Sequence, residues 1–297
     1  TEPPMLFRRL LLCALLVGAL AGLFLSAVQR WQVVPLIAAA ERFEATAAGM
    51  PAVAAVAPPP HGAPGHDHAL HHASSPTSAH SHADGIATAA PADAHGDHDH
   101  GAAEWSPAEG FERTAFTALA NVLTAFGFGL LALAMMAGVQ RWRGSVRLSP
   151  VHGLLWGLAG YLSFYVAPAM GLPPEIPGAQ GAALAARQAW WLLAVGATAG
   201  GLALLAFGRG PWRWVGVLLL AVPHLLGAPH AGLPFAEHAP AEAAQLTAIA
   251  RQFFVATAIA NALYWLVLGS LSAWACRRWI AGLLRERATV PNGFPAR

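Results

Sequence analysis

The chain has 297 residues, of which 56% are hydrophobic and only 11% are charged, and its formal net charge at pH 7 is +2. Soluble domains carry about 25% charged residues, so this composition argues against a soluble protein and favours a membrane protein. The small net charge gives no indication of nucleic-acid binding, and the sequence contains no GxxxxGK[ST] loop of the kind that ATP-driven motors use.

Six apolar stretches approach the roughly 20 residues that a helix needs to cross the hydrocarbon core of a bilayer. They cover residues 7–28, 116–139, 153–170, 189–207, 214–228 and 253–276. The fifth stretch is short and contains Pro223, so five crossings are the alternative. We therefore predict an all-α integral membrane protein with about six transmembrane helices.

The first stretch follows Arg8 and Arg9, a pattern that is also typical of a cleaved signal peptide. The apolar run is long for a signal peptide, and no clean small-x-small cleavage site follows it before Gln29. We therefore expect a retained membrane anchor.

The placement of arginines predicts the orientation, because cytoplasmic loops carry an excess of them. With the N-terminus inside, five arginines fall outside, namely Arg30, Arg42, Arg113, Arg187 and Arg251, and the other twelve of the 17 basic residues fall inside. Six crossings with both termini in the cytoplasm fit this distribution. The segment between the first two crossings then lies outside.

That segment, from about residue 45 to 106, is rich in Ala, Pro, His and Asp and nearly devoid of large apolar side chains. It cannot bury enough surface to fold alone, so we predict a disordered extracytoplasmic loop. The expected organisation is an N-terminal helix with an outer segment (1–44), the His-rich loop (45–106), the membrane bundle (107–280) and a cytoplasmic tail (281–297).

Ten of the 14 histidines lie in this loop, interleaved with aspartates. They are His61, His66, His68, His71, His72, His80, His82, His95, His98 and His100. Imidazole is a suitable ligand for Co²⁺, Ni²⁺, Zn²⁺ and Cu²⁺, and close spacing lowers the cost of bringing several ligands to one ion. The pattern predicts weak, multiple binding of divalent metal, with a low-complexity linker as the alternative.

Three polar residues within the apolar stretches are candidates for an ion pathway. Asn121 and Asn261 lie on polar faces of the second and sixth stretches, where they either hydrogen-bond neighbouring helices or line a route. His224, beside Pro223, is either a pathway ligand or the partner in a structural hydrogen bond.

Other titratable residues lie on the connections: Glu175, His230, Glu237 and His238 outside, and His152 inside. Glu175 and His230 are candidates for guiding cations inward, and His152 is either an exit ligand or an interfacial residue. We expect Glu237 and His238 to be ordinary solvated loop residues. Arg187 is expected either to anchor at head groups or to pair with an acid such as Glu175.

Two heptapeptides share the pattern T-A-[LI]-A-N-x-L: TALANVL (117–123) and TAIANAL (257–263). They suggest three related helical hairpins, formed by spans 1–2, 3–4 and 5–6, as in transporters built from repeats. The alternative is that Ala- and Leu-rich helices resemble one another through composition.

Several segments resemble the CbtA family of predicted cobalt transporter proteins. They include FERTAFTALANVLTAFGFGLL, HGLLWGLAGYLSFYVAPAMGLPPEIPG, ARQAWWLLAVGATAGGLALLAF and PHLLGAPH. The resemblance implies a cobalt uptake component of the bacterial inner membrane that serves cobalamin biosynthesis. It also implies a small partner protein, of the CbtB type, with one membrane span and histidines.

The expected function is therefore inward movement of Co²⁺, with Ni²⁺ or Zn²⁺ as other possible cargo. No covalent chemistry and no resident cofactor are implied, so we expect no enzyme. The alternative function is a membrane-anchored buffer that binds divalent metal in its loop without transporting it.

Overall fold

The computed structural model describes residues 3–49, 107–108, 110–143, 148–230 and 232–283, all within one compact unit of the chain. The predicted His-rich loop from residue 50 onward, with its ten histidines, and the tail from residue 284 lie outside the described residues.

Every regular element in the described ranges is helical, which confirms the predicted fold class. The helices are α1 (Pro3–Gln32), α2 (Val34–Gly49), α3 (Phe111–Arg143), α4 (Pro150–Gly171), α5 (Leu184–Phe207), α6 (Trp212–Leu226) and α7 (Pro240–Leu283). Two short π-helical segments interrupt the α-helical geometry, Leu162–Val166 within α4 and Cys276–Ile280 within α7.

Five of the helices are long and apolar enough to cross a membrane: α1, α3, α4, α5 and α7. Helix α6 has 15 residues, which at a rise of 1.5 Å per residue span about 22 Å, against a hydrocarbon core of about 30 Å. It ends at Gly227, whose φ of 78° places it in the left-handed region that terminates helices. For helices of full spanning length, the structure therefore supports the alternative count of five.

The helices extend beyond the apolar stretches that predicted them. Helix α7 begins at Pro240, well ahead of residue 253, because proline is favoured in a first helical turn and the helix continues outside the hydrocarbon. Helix α2 was not predicted. It follows α1 after a turn at Val33 and runs to Gly49, so residues 45–49 are helical and not part of a loop.

Helix α1 packs mainly against α3 and also against α7, α4 packs against α7, and α5 packs against α6. Ala14, Val17 and Ala21 of α1 are fully buried, as expected for a retained anchor. The predicted pairing of spans one and two is therefore present. The pairing of spans five and six as a packed hairpin is not, because α6 packs against α5 instead.

Five helix ends meet at one end of the bundle, which we call the arginine end. The Arg9 guanidinium donates to the Trp279 carbonyl at 3.0 Å, which joins the start of α1 to the end of α7. The guanidinium of Arg143, at the end of α3, lies 5.0 Å from the ring centroid of Phe207, at the end of α5. Arg213, at the start of α6, donates to the Leu205 carbonyl at 3.0 Å. The first and last helices thus place both their outer termini at the same end, as predicted.

The opposite end, which we call the acidic end, contains every acidic residue within the described ranges. These are Glu41, Glu44, Glu112, Glu175, Glu237 and Glu242. Helix α2 and the start of α3 lie here, joined by the ion pair between Arg113 and Glu41 at 2.5 Å. Both attachment points of the His-rich segment are therefore at the acidic end.

Candidate functional site

A β-turn in the connection between α4 and α5 (172–183) shapes the acidic end. The Ala179 N–H donates to the Ile176 carbonyl at 3.2 Å, which places Pro177 and Gly178 at the two central positions. Proline is favoured at the first of these in type II turns, and the second requires positive φ, which Gly178 supplies at 80°. Ile176 is buried and fixes this turn to the bundle.

Gly178 lies where three segments of the chain converge. A Cβ atom at this glycine would be 3.7 Å from Glu44 Oε1, at the end of α2, and 3.9 Å from His238 Cε1, in the connection between α6 and α7. These two atoms are therefore less than about 8 Å apart. The Gln180 N–H donates to the Pro234 carbonyl at 2.8 Å, which ties the two connections together.

Glu44 and His238 have unsatisfied polar groups, in contrast to their neighbours. Nδ1 of His238 is buried and has no hydrogen-bond partner in the described part of the chain. Glu44 is exposed and forms no ion pair or hydrogen bond with any described residue. Glu41 and Glu175, by comparison, pair with Arg113 and Arg187.

A cavity of about 1340 Å³ opens beside this convergence, between the α4–α5 connection and α7. Its lining is mostly apolar, with Phe235 and Pro234 shared with the segment that positions His238. Its polar residues are Gln32, Glu175, Thr247, Arg251 and Gln252. Oε1 of Gln32 is buried and has no hydrogen-bond partner among the described residues. The acidic end thus combines an open recess with unpaired oxygen and nitrogen atoms.

The two asparagines of the repeated heptapeptide make different contacts. Nδ2 of Asn121 donates to Gln29 Oε1 at 2.7 Å and to Ser26 Oγ at 3.0 Å, which connects α3 to α1. Nδ2 of Asn261 donates to the Thr257 carbonyl one turn earlier in its own helix, at 2.9 Å. Asn121 therefore makes the interhelical hydrogen bonds that one of the two sequence interpretations expects.

The structure separates the histidines proposed for a pathway. His224 is exposed on α6, with its ring centroid 6.4 Å from that of Trp190. His230 is exposed in the following connection. His152 lies at the arginine end, where its Nδ1 accepts from the Ser149 N–H at 3.2 Å and lies 2.7 Å from Ser149 Oγ. The His152 ring thus takes part in the start of α4.

The expected pairing of Arg187 with Glu175 is confirmed, with Nη2 and Oε2 2.8 Å apart. Within the described ranges, no three His, Cys, Asp or Glu side chains lie close enough to hold a metal ion together. The structure instead brings together Glu44 and His238, a pair that sequence reasoning did not select. The Pro177–Gly178 dipeptide predicts a turn, but nothing local in the sequence indicates which side chains that turn meets.

Comparison with known proteins gives one result that covers most of the chain. The family described as "Probable cobalt transporter subunit (CbtA)" matches residues 7–277, from α1 into the last helix. No curated protein and no solved structure matches the chain. The match spans all five helices of membrane-crossing length and both connections of the acidic end. The chain is thus a multi-pass membrane protein that belongs to the CbtA family of probable cobalt transporter subunits.

Proposed function

We propose that the protein takes up Co²⁺ across the bacterial inner membrane, moving it from the acidic end to the arginine end, in support of cobalamin biosynthesis. Family membership supplies the cargo and the transport role, in preference to catalysis. The observation on which the direction rests is the separation of charge along the bundle.

The arginine end corresponds to the cytoplasmic side under the positive-inside rule. Its described arginines are Arg8, Arg9, Arg141, Arg143, Arg209, Arg213, Arg277 and Arg278, and none of the described acids lies there. Both termini are then cytoplasmic and the acidic end faces outward. A membrane potential that is negative inside contributes about 2.3 kcal/mol per charge per 100 mV to the entry of a cation.

The outward position of the acidic end gives the His-rich segment a role. Both of its attachment points lie at that end, so its imidazoles are placed to raise the local concentration of metal beside the bundle. The ten loop histidines collect Co²⁺, and Ni²⁺ or Zn²⁺ are competing cargo because imidazole binds all three. The term subunit in the family description implies a partner, and a small single-span protein that carries histidines would suit transfer of the same metal.

Pathway roles for the remaining candidates are also proposals. His224 is exposed at membrane depth, where an ionisable side chain needs a polar contact, so we assign it a ligand role near the outer end of α6. Glu175 and His230 would attract cations toward the outer connections, Asn121 and Asn261 would support the route, and His152 would meet the ion at the inner end.

Uptake of ⁵⁷Co in cells that lack the chain but retain any partner tests this function. Reintroducing the protein should restore accumulation at limiting cobalt. A full-length variant with all ten loop histidines changed to Asn should lose uptake at low cobalt and retain it at high cobalt, because only capture is impaired. If uptake is the same with and without the chain, transport is excluded. Loss of all metal accumulation by the Asn variant at every concentration would instead indicate a buffer.

A further inference from the structure

We propose that Glu44 and His238 form a binding site for a divalent transition-metal cation at the acidic end, positioned by Gly178. The identity of the cation as Co²⁺ rests on the proposed function. The site itself rests on the geometry of three converging segments, which the family description does not assign.

The chemistry of the pair suits such an ion. A carboxylate oxygen and an imidazole nitrogen are both ligands that Co²⁺, Ni²⁺ and Zn²⁺ accept. Ligand atoms on one ion lie about 3–4 Å apart, given metal–ligand bonds of about 2.0–2.2 Å. Glu44 Oε1 and His238 Cε1 are under about 8 Å apart, and the exposed Glu44 side chain can shorten this separation by changing rotamer.

The state of each group distinguishes this pair from its surroundings. Burial of a polar atom without a hydrogen-bond partner is unfavourable, and His238 Nδ1 is such an atom. A bound cation would supply the missing interaction. Two other carboxylates at this end, Glu41 and Glu175, are already neutralised by arginines, whereas no described cation pairs with Glu44.

Gly178 explains why the space between the two ligands is open. Its φ of 80° is a conformation that residues with side chains rarely adopt, and a Cβ here would contact both Glu44 and His238. The Pro177–Gly178 turn therefore supports the pair from below without occupying the position of the ion.

Two protein ligands, with water in the remaining positions, make a weak site. Transport requires binding that is favourable enough to capture the ion and weak enough to release it. The pair is therefore suited to transient occupancy at the entrance of the recess that lies beside Phe235, and not to permanent retention of a structural metal.

Equilibrium dialysis with Co²⁺ tests the site in the full-length chain whose ten loop histidines are changed to Asn, purified in nanodiscs. This background should retain a site whose affinity falls at least tenfold with His238→Ala and severalfold with Glu44→Gln. The matched controls are His230→Ala and Glu242→Gln, which alter an exposed histidine and an exposed carboxylate at the same end. Equal affinity in all five proteins would overturn the proposal.

A spectroscopic measurement guards against an indirect effect of the substitutions on folding. X-ray absorption at the cobalt edge should show imidazole coordination in the background protein and lose it with His238→Ala, while the thermal stability of the two proteins is equal. Persistence of imidazole coordination in the His238→Ala protein would overturn the assignment.

Uptake of ⁵⁷Co separates the fate of this site from that of the proposed function. Loss of binding with His238→Ala, in a protein that never transports cobalt, would leave the site intact and remove the function. Normal uptake by the wild-type chain, together with unchanged Co²⁺ binding in the Glu44→Gln and His238→Ala proteins, would leave the function intact and remove the site.

Discussion

Asn121 illustrates how a single polar residue can join two membrane helices. Its side-chain amide donates to both Ser26 and Gln29 of α1, and such interhelical hydrogen bonds hold helices together where the hydrophobic effect contributes little. Asn261 occupies the equivalent position of the second heptapeptide, but its amide bonds to its own helix. The same sequence pattern therefore serves different contacts in α3 and α7.

Replacement of Asn121 by Ala should lower the stability of the bundle by about 1 kcal/mol, because membrane hydrogen bonds contribute about 0.6 kcal/mol each on average. Unfolding of the protein in mild detergent, followed by tryptophan fluorescence, measures this loss. Asn261→Ala is the matched control and should cost less. A structural role also predicts that the Asn121→Ala protein keeps the wild-type KM for Co²⁺ uptake, and a large rise in KM would favour a pathway role instead.

Residues close in sequence were easier to predict as partners than distant ones. Glu175 and Arg187 flank one short connection, so their pairing follows from the local chain. Glu44 and His238 are nearly 200 residues apart and lie on segments that carry no shared pattern. Their proximity depends on how α2 and two connections pack at the acidic end, which periodicity and composition do not specify.

At the level of elements, glycine allows the helices to approach closely. A Cβ at Gly22 of α1 would lie 2.5 Å from the Val122 Cα of α3, and one at Gly269 of α7 would lie 2.6 Å from the Gly157 Cα of α4. Real side chains do not tolerate such distances. Small residues at these crossings therefore set the separation of the α1–α3 and α4–α7 pairs.

Gly22→Ala should force α1 away from α3 and destabilise the protein by about 1–3 kcal/mol, the usual cost of an overpacked interface. Gly127→Ala in α3 is the control, because a Cβ there meets no atom within 4 Å. Thermal melting of the two purified variants compares them directly. Equal melting temperatures would show that the α1–α3 crossing is looser than described.

The apolar stretches predicted the five long helices well, because about 20 consecutive apolar residues are a strong constraint. They failed at the ends of the helices and for α2, where polar residues continue a helix outside the hydrocarbon. The supposed hairpin of spans five and six was also wrong. Helix α6 packs against α5, where a Cβ built at either Gly201 or Gly216 would lie 2.8 Å from the carbonyl oxygen of the other glycine.

For the whole molecule, the distribution of charge was predictable from sequence, because the positions of arginines follow from the order of the helices. The structure places the described acids at one end and the start of the first helix beside the end of the last. The positive-inside rule then assigns the acidic end, with Glu44, His238 and both attachment points of the His-rich segment, to the outer side. Inward transport of a cation from that end depends on this assignment.

Labelling of introduced cysteines with a membrane-impermeant maleimide tests the orientation most directly. Ala236→Cys places an exposed thiol at the acidic end and Val151→Cys places one at the arginine end, while the native Cys13 and Cys276 are buried. In intact spheroplasts, the thiol at position 236 should be labelled and the thiol at position 151 should react only after permeabilisation. The reverse pattern would place the acidic end in the cytoplasm and contradict uptake from that side.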